Sequence, residues 1–309
     1  MTKSTWAAIG LASSMFLAGM SYADKQEGDN GAIQVHRARP DDGAPTSGST
    51  GSLSPITAHG GPVMDKPNVY LIWYGNWNQN NGSDTANGMT LVKNFLAGLQ
   101  NSAYFQINST YAGVNGAFQV LAGNTTTDSY SQGTRLRDSQ VQAIVSNAIS
   151  SGNLPKDTTG VYFVLTSSDV SEQSGFCSRY CGWHTSGTIQ GLNIKYAFVG
   201  NANRCLSACA AQTISPNGNA GVDGMISVIA HELEEATTDP NLNAWYDSSG
   251  AENADKCAWT FGQPAPTGPL AQLKNGAYYN MTLNGQNFLV QRNLSAADNK
   301  CYISLNGLQ

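Results

Sequence analysis

One helix-length stretch, Gly224 to Pro240, carries residues whose types and spacing suit metal chemistry. His231 and Glu235 are four residues apart, so on a helix their side chains emerge on one face with Cβ atoms about 5–6 Å apart. An imidazole nitrogen and a carboxylate oxygen at that separation can bind one zinc ion. Glu232 directly follows the histidine, where H-E-x-x-H zinc proteases keep their general base. The pattern here, H-E-x-x-E, predicts a zinc site in which a carboxylate replaces the second imidazole.

This stretch must be helical for the geometry to form. Apolar residues recur in it at spacings of three and four, which predicts a helix with a core-facing stripe: Met225, Ile229, Leu233 and Ala236. Asp223 is the predicted N-cap, and Pro240 stops the helix near Asp239, a C-terminal helix carboxylate. The alternative is an ordinary solvated helix face, which is what we expect for Glu234. The apolar run before His231 favours a central helix instead.

A catalytic zinc needs three protein ligands and an open position for water. Glu252 and Asp255 compete for the third place, and on a short helix one could ligate while the other holds His231 by its far nitrogen. Asp255 is slightly favoured, because a disulfide at Cys257 would anchor it. His184 follows a cysteine-rich loop and is predicted as a ligand or a transition-state hydrogen-bond donor, with a purely structural histidine equally expected.

The chemistry expected of such a site is hydrolysis. Zinc lowers the pKa of a bound water to ~7, Glu232 would take the proton, and the hydroxide would attack a peptide or amide carbonyl. Glu235 gives the metal more negative charge than an imidazole would, which predicts a weaker Lewis acid. The sequence therefore predicts a metallopeptidase-like zinc hydrolase acting on a peptide or cell-wall substrate.

The rival hypothesis is a non-catalytic secreted protein that binds a cell-wall polysaccharide or a receptor. Aromatic side chains could stack on sugar rings in this case: Trp73, Tyr74, Trp77, Trp183, Trp245 and Tyr246. Aromatic residues in apolar runs more often fill the core. A glycosidase is a weaker third option, because it needs paired carboxylates ~5–9 Å apart, for which the acidic residues near His231 leave room.

Composition and charge set the class of protein. The chain has 309 residues, of which 40% are hydrophobic and only 12% are charged, and its net charge is −5. The chain has enough hydrophobic residues to bury a core. A nucleic-acid partner would need clusters of basic residues, which this sequence lacks. We expect one domain, a monomer, spanning residues 56–309.

The N-terminus resembles an export signal. Lys3 precedes an apolar stretch from Ala7 to Met20, and Ser21-Tyr22-Ala23 fits a small-x-small cleavage site. We therefore predict a signal peptide at residues 1–23, too short to span a bilayer, and a secreted protein without a membrane partner. Residues 24–55 are polar and rich in Gly, Ser and Pro, which predicts a disordered leader in which His36 has no role.

The six cysteines suit an oxidising compartment. Six cysteines allow 15 pairings. We expect two short loops, Cys177–Cys181 and Cys205–Cys209, and one long-range bridge, Cys257–Cys301. A zinc-thiolate site is disfavoured, because both short spacings are C-x-x-x-C and not the C-x-x-C of zinc knuckles.

Apolar runs and helical periods alternate along the chain. They predict strands at Val69–Tyr74, Phe118–Leu121, Val161–Leu165 and Tyr196–Val199, helices at Met89–Leu99 and Val141–Ile149, and a hairpin turning at Asn284-Gly285. This order predicts an α/β (α+β) zincin-like single domain: a mixed twisted sheet with a central metal-binding helix, stabilised by disulfides.

Several blocks of sequence resemble the Exordium / phosphate-induced protein 1 family. They are Ala58-His-Gly-Gly-Pro62, Tyr70-Leu-Ile-Trp-Tyr-Gly75, Phe176-Cys-x-x-x-Cys-Gly-x-His184, Pro216-Asn-Gly218, Gly221-Val-Asp-Gly224, Asn243-Ala-Trp-Tyr246, Glu252-x-x-Asp-x-Cys257 and Phe288-Leu-Val-Gln291. The resemblance implies a secreted, cell-wall or apoplastic protein linked to growth, and the signal sequence suggests a microbial member. The resemblance by itself assigns no catalytic activity, so the chemical interpretation depends on His231 and Glu235 themselves.

Overall fold

The computed structural model describes residues 25–39, 54–305 and 307, so the predicted signal peptide lies outside it. The α-helices are α1 (Ala86–Leu99), α2 (Asp138–Ser150), α3 (Leu206–Cys209) and α4 (Ala220–Thr238), and 3-10 helices cover Phe105–Thr110, Ala202–Arg204 and Asp255–Cys257. The strands are β1 (Lys25–Gly28), β2 (Gly31–Arg37), β3 (Thr57–Ala58), β4 (Asn68–Tyr74), β5 (Thr125–Asp128), β6 (Arg135–Leu136), β7 (Gly160–Thr166), β8 (Ser171–Glu172), β9 (Tyr180–Ile189), β10 (Leu192–Gly200), β11 (Trp245–Tyr246), β12 (Ala271–Gln272), β13 (Tyr278–Tyr279), β14 (Met281–Leu283), β15 (Gln286–Phe288), β16 (Asn293–Ser295) and β17 (Lys300–Tyr302).

A seven-stranded mixed sheet organises the chain, in the order β1-β2-β9-β10-β7-β4-β5. The half from β10 to β5 is parallel, and the half from β1 to β10 is antiparallel. The predicted mixed α/β architecture is therefore confirmed. Within the part of the chain that the structure covers, no helix is both long and apolar enough to cross a membrane.

Helices cover both faces of the sheet. On β9, Gly182 lies against α4 and Gly187 lies against α2, and residues of opposite parity in a strand point to opposite faces. The strands between them are consequently buried on both sides, and every residue of β7 is buried. This explains why β4 and β7 consist of continuous apolar runs, as their sequences predicted.

The predicted strand at Phe118–Leu121 is wrong. Gln119 makes only an isolated bridge to Asn68. The strand that pairs with β4 on the side away from β7 is the polar β5. The predicted N-cap is also displaced, since the side chain of Asn219 accepts the Val222 N–H at 3.1 Å and α4 begins at Ala220. Asp223 lies inside the first turn instead. The hairpin at Asn284-Gly285 is confirmed, with Leu283 paired to Gln286.

The predicted disordered leader is wrong for its first part. Residues 25–37 form β1 and β2, and β2 joins the sheet antiparallel to β9. Ile33 and Val35 enter the core with exposures of 3% and 0%. The segment is therefore an ordered part of the fold and not a solvated tail. Residues 40–53 of the predicted leader lie outside the described residues.

Two of the three predicted disulfide pairings are wrong. The bonds are Cys177–Cys205 and Cys181–Cys209, each with a sequence separation of 28. Each bridge joins the start of β9 to the segment around α3, because that short helix packs against β9 and presents both cysteines to it. Cys257–Cys301 is confirmed, with a Cα–Cα distance of 5.7 Å.

The contact between β9 and α4 depends on Gly182. A Cβ there would lie 2.6 Å from Cγ1 of Val228 and 2.9 Å from the carbonyl oxygen of Phe198, closer than carbon atoms pack. We expect Gly182→Ala to lower the free energy of unfolding by about 1–3 kcal/mol, measured by denaturant titration. Gly187→Ala is the matched control, because the shortest contact of its Cβ would be with the flexible end of Gln142, at 2.6 Å, and the next with a ring carbon of Tyr196, at 3.3 Å. Equal losses in the two variants would contradict the explanation.

Glu172, in β8, gives the fold a dependence on pH. It is buried beside Asp138, and its carboxylate accepts hydrogen bonds from Tyr180 and Ser174. Burial, reinforced by Asp138 and only partly offset by these bonds, raises the pKa of Glu172 to about 7. A carboxyl whose pKa is higher in the folded than in the unfolded state stabilises the fold while protonated, and that stabilisation is lost as pH rises towards and through the folded pKa.

The corresponding variant is Glu172→Gln, which cannot ionise and keeps one acceptor oxygen. We expect the unfolding free energy of the native chain to fall relative to the variant between pH 5 and pH 8, by up to about 3 kcal/mol. Denaturant titrations at several pH values measure this difference. A difference that stays flat, or that grows in favour of the native chain with rising pH, would show that Glu172 is ionised in the folded protein.

Candidate metal centre

Helix α4 places three of the predicted site residues in the interior. His231, Glu232 and Glu235 have no solvent exposure. Helix α4 ends at Thr238, next to the predicted stop at Asp239. Oδ1 of Asp239 then accepts the N–H groups of Asn243 and Ala244 at 2.6 and 2.7 Å. Asp239 therefore closes the turn after the helix, which agrees with its predicted structural role.

The first cluster is built around His231. Its Nε2 lies 2.9 Å from Oε1 of Glu235 and 3.4 Å from Oδ1 of Asp255. Its Nδ1 contacts the side-chain amide of Gln291, which leaves Nε2 facing the carboxylates. Asp255 is held in place by its own N–H, which donates to Oε1 of Glu235 at 3.0 Å, and by the bridge at Cys257.

The second cluster is built around His184, which lies on β9 and not in the cysteine-rich loop before it. Its Nδ1 lies 3.2 Å from Oε2 of Glu232 and 3.5 Å from Oε2 of Glu235. Its Nε2 faces Oε2 of Glu252 at 3.7 Å. Glu235 thus presents one oxygen to each histidine and links the two clusters.

Charge is concentrated in this interior. Burial alone would lower the pKa of both histidines, but the neighbouring carboxylates outweigh it: the pKa of His184 rises to about 9, and that of His231 rises well above its usual value. Burial would raise the pKa of Glu235, yet the two histidines hold it at about 2. Burial raises the pKa of Glu232 to about 7. Burial also raises the pKa of Glu252 well above its usual value, and repulsion from Asp239 adds to the effect.

The donor atoms fit a divalent cation. Each cluster offers one imidazole nitrogen and two carboxylate oxygens within 4.8 Å of one another, a nitrogen and oxygen set that zinc accepts. Several buried atoms in and beside these clusters make no hydrogen bond within the described residues, although the ring nitrogens face carboxylates as ion pairs: Nε2 of His184 and His231, Oε1 of Glu232, Oε2 of Glu235 and Oε2 of Glu252. Unpartnered buried polar atoms are costly, and a bound cation would satisfy them.

The structure therefore brings together all six residues predicted for the site: His184, His231, Glu232, Glu235, Glu252 and Asp255. The prediction that Glu234 is solvated is wrong, because it is fully buried and accepts a hydrogen bond from Tyr104 at 3.1 Å.

Three further residues around the site were not predicted. Gln34 donates to Oδ2 of Asp255 at 2.6 Å, and the ring of His36 lies 4.0 Å from that of His231, centroid to centroid. Gln291 contacts the other side of His231. The alternation of residues 32–36, apolar at Ile33 and Val35, is a period-two signal that predicts a strand and could have revealed the first two.

The centre is closed in this conformation. His184 and His231 are fully buried, and the side chain of Asp255 is 4% exposed. Strand β2 lies over it, with His36 packed between His231 and Trp259. A catalytic zinc keeps a position open to water and substrate, whereas a structural zinc is enclosed by protein.

Most of the aromatic residues considered for sugar binding lie in the core. Trp73, Tyr74, Trp77 and Trp183 are buried with exposures of 6% or less, whereas Trp245 and Tyr246 are partly exposed. Tyr246 stacks on His59 at a centroid distance of 3.6 Å. Of the six residues, only Trp245 and Tyr246 are partly exposed.

Comparison with known proteins decides the family. The conserved region of phosphate-induced protein 1 matches residues 56–304, most of the chain. The chain belongs to the phosphate-induced protein 1 family. This match covers the whole candidate centre on α4, β9 and the segment of Asp255, but it begins after β2.

Relatives of the Exordium type share this region. The chain is 31% identical to Protein EXORDIUM-like 5 of Arabidopsis thaliana over 280 residues, covering 78% of this chain and 75% of that protein. It is 32% identical to Protein EXORDIUM-like 3 of Arabidopsis thaliana over 273 residues, covering 78% and 80%. Protein PHOSPHATE-INDUCED 1 of Nicotiana tabacum is 25% identical over 274 residues, covering 75% and 82%. No solved structure gives a significant match.

Proposed function

We propose that this chain is a secreted, non-catalytic Exordium-like protein that holds zinc inside its fold and acts through its surface, on a cell-wall glycan or in growth signalling. The supporting observation is the closed pair of histidine–carboxylate clusters with unpartnered ring nitrogens and carboxylate oxygens. Three disulfides and the Exordium relatives are consistent with export.

In this proposal His231, Glu235 and Asp255 hold the zinc ion, or His184, Glu232 and Glu235 do, and Glu235 serves either cluster. The bound charge offsets the repulsion among the buried carboxylates. It ties α4 to the 3-10 helix at Asp255 in the first arrangement, or to β9 in the second. Binding energy gained only in the folded state adds to the stability of the fold.

A zinc-dependent hydrolase is the second candidate. Its specific support is Glu232, which directly follows His231 in the chain and contacts His184 at 3.2 Å. A pKa of about 7 suits a general base. Bound zinc would supply a water of lowered pKa; Glu232 would accept the proton at Oε1 or Oε2, and His184 would hold that carboxylate in place. Substrate would first need a route into the closed centre.

The test is the metal content of the purified full-length mature protein, measured by mass spectrometry after zinc loading and dialysis. We expect about one zinc per chain, lost in His231→Ala if the cluster with Asp255 is occupied or in His184→Ala if the cluster with Glu232 is occupied. His59→Ala should keep the zinc, because this histidine is exposed and outside the centre. Absence of bound zinc in the native chain would overturn the proposal.

A peptide-library digest separates the two candidates. We expect the zinc-loaded chain to release no fragments but to unfold at a higher temperature than the zinc-free chain. Cleavage that is lost in Glu232→Gln, with zinc retained, would instead establish the hydrolase.

A further inference from the structure

We propose that the edge of β9 is a binding site for an extended peptide and that the chain's own residues 25–39 occupy it as a displaceable internal ligand. The proposal concerns a surface that neither the family match nor the relatives assign, and it does not depend on bound zinc.

The N-terminal segment contacts the body as a bound peptide would. Strand β2 pairs antiparallel with β9 over Gln34↔His184, Val35↔Trp183 and His36↔Gly182. The backbone contacts continue beyond the strand, where the N–H of Ala38 donates to the carbonyl of Arg179 at 2.9 Å and that of Arg39 donates to the carbonyl of Ala208 at 2.8 Å. Addition of an extended strand to a sheet edge is a recurring mode of peptide recognition.

Alternate side chains of the segment enter two different environments. Ile33 and Val35 enter the apolar core on one face of the sheet. Gln34 and His36 point to the other face, into the candidate centre, where Gln34 bonds to Asp255 and both nitrogens of His36 lack hydrogen-bond partners among the described residues. The site therefore favours a peptide with two aliphatic residues flanking a polar one.

The segment lies outside the region that matches the family. The family match begins at residue 56, so it includes β9 and also β10, the strand that pairs with β9 on the side away from β2. Without residues 25–39, β9 becomes the edge strand of a five-stranded sheet, since the order is β1-β2-β9-β10-β7-β4-β5. An open edge strand presents unpaired N–H and C=O groups to any extended chain.

The contacts that hold the far end of the segment are polar. Asp29 accepts hydrogen bonds from the N–H and Oγ of Ser139 at 2.6 and 2.8 Å, at the start of α2. Lys25 donates to the carbonyl of Leu242 at 3.3 Å. A two-stranded hairpin is marginal on its own in water, so a segment cut from the chain would lose its structure whenever it leaves the edge.

The experiment uses the full mature chain with a specific protease site placed within residues 43–49, cut after folding. A fluorescent peptide with the sequence of residues 25–39 is then added in excess, with zinc and separately with chelator. Anisotropy follows its binding, native mass spectrometry follows loss of the cut segment, and circular dichroism follows the fold. Control peptides carry Gln34→Pro, which removes a backbone donor that faces β9, or Gln34→Ala with His36→Ala.

We expect the labelled peptide to replace the cut segment while the fold persists, the proline peptide not to bind, and the double-alanine peptide to bind at least about 10-fold more weakly. The proposal is overturned if the segment leaves only when the whole protein unfolds, or if it leaves and no peptide takes its place. Exchange in chelator without any bound zinc would support this site even where the zinc proposal had failed.

Discussion

Glu235→Gln is expected to lower the zinc affinity of the chain by more than about 100-fold, because this one carboxylate serves both clusters. It lies 2.9 Å from the ring nitrogen of His231 and 3.5 Å from that of His184. An amide keeps the shape of the side chain but not the negative charge that holds a divalent ion. Titration of the zinc-free variant against a chelator of known affinity measures the change.

Glu234→Gln is the matched control, one residue away on the same helix. Glu234 is equally buried but belongs to neither histidine–carboxylate cluster. It accepts a hydrogen bond from Tyr104, which an amide oxygen can also accept. We expect this variant to bind zinc with native affinity. Equal loss in both variants would show that any uncharged substitution disturbs α4 and that Glu235 has no special place.

Zinc affinity lost in Glu235→Gln would also bear on which cluster is occupied. If a single ion is held by His231, Glu235 and Asp255, then His184→Ala should leave most of the affinity in place. If the ion lies between Glu232, Glu235 and His184, then His231→Ala should leave most of the affinity in place and His184→Ala should remove it. Because Glu235 belongs to both clusters, replacing it weakens zinc binding in either arrangement. The two histidine variants are therefore needed to tell the arrangements apart.

The sequence predicted the elements that carry the site, because those elements follow local rules. The continuous apolar runs of β4 and β7 are what a strand covered on both faces requires. The three-and-four spacing around His231 is sufficient for α4. The spacing of His231 and Glu235 on that helix, and the disulfide at Cys257, were enough to bring Asp255 into the list of site residues.

What the sequence did not predict depends on packing between distant segments. The helical period of apolar residues predicts that one face of α4 is buried. Glu234 lies on another face, which is buried because the segment around Tyr104 and Gln291 covers it. The cysteines were assigned to their nearest neighbours in sequence, whereas the packing of α3 on β9 decides their partners. The polar composition of residues 24–55 concealed a short strand that ends up over the site.

Replacing Cys257 and Cys301 with alanine is expected to lower the free energy of unfolding by about 4 kcal/mol, on the chain-entropy account of a loop this long. The bridge closes a sequence separation of 44 residues. It is also expected to weaken zinc binding, since Asp255 lies two residues before Cys257, in the same 3-10 helix. Denaturant titration measures the first effect, and competition with a chelator measures the second.

The bridge Cys177–Cys205 provides the control for this double substitution. It closes a separation of 28 residues and joins the start of β9 to the segment around α3, away from Asp255. Its removal is expected to cost nearly as much stability, about 3–4 kcal/mol, while zinc affinity stays within a factor of a few. Zinc affinity that falls equally in both variants would show that the loss follows global stability, and that the bridge at Cys257 does not specifically position the aspartate.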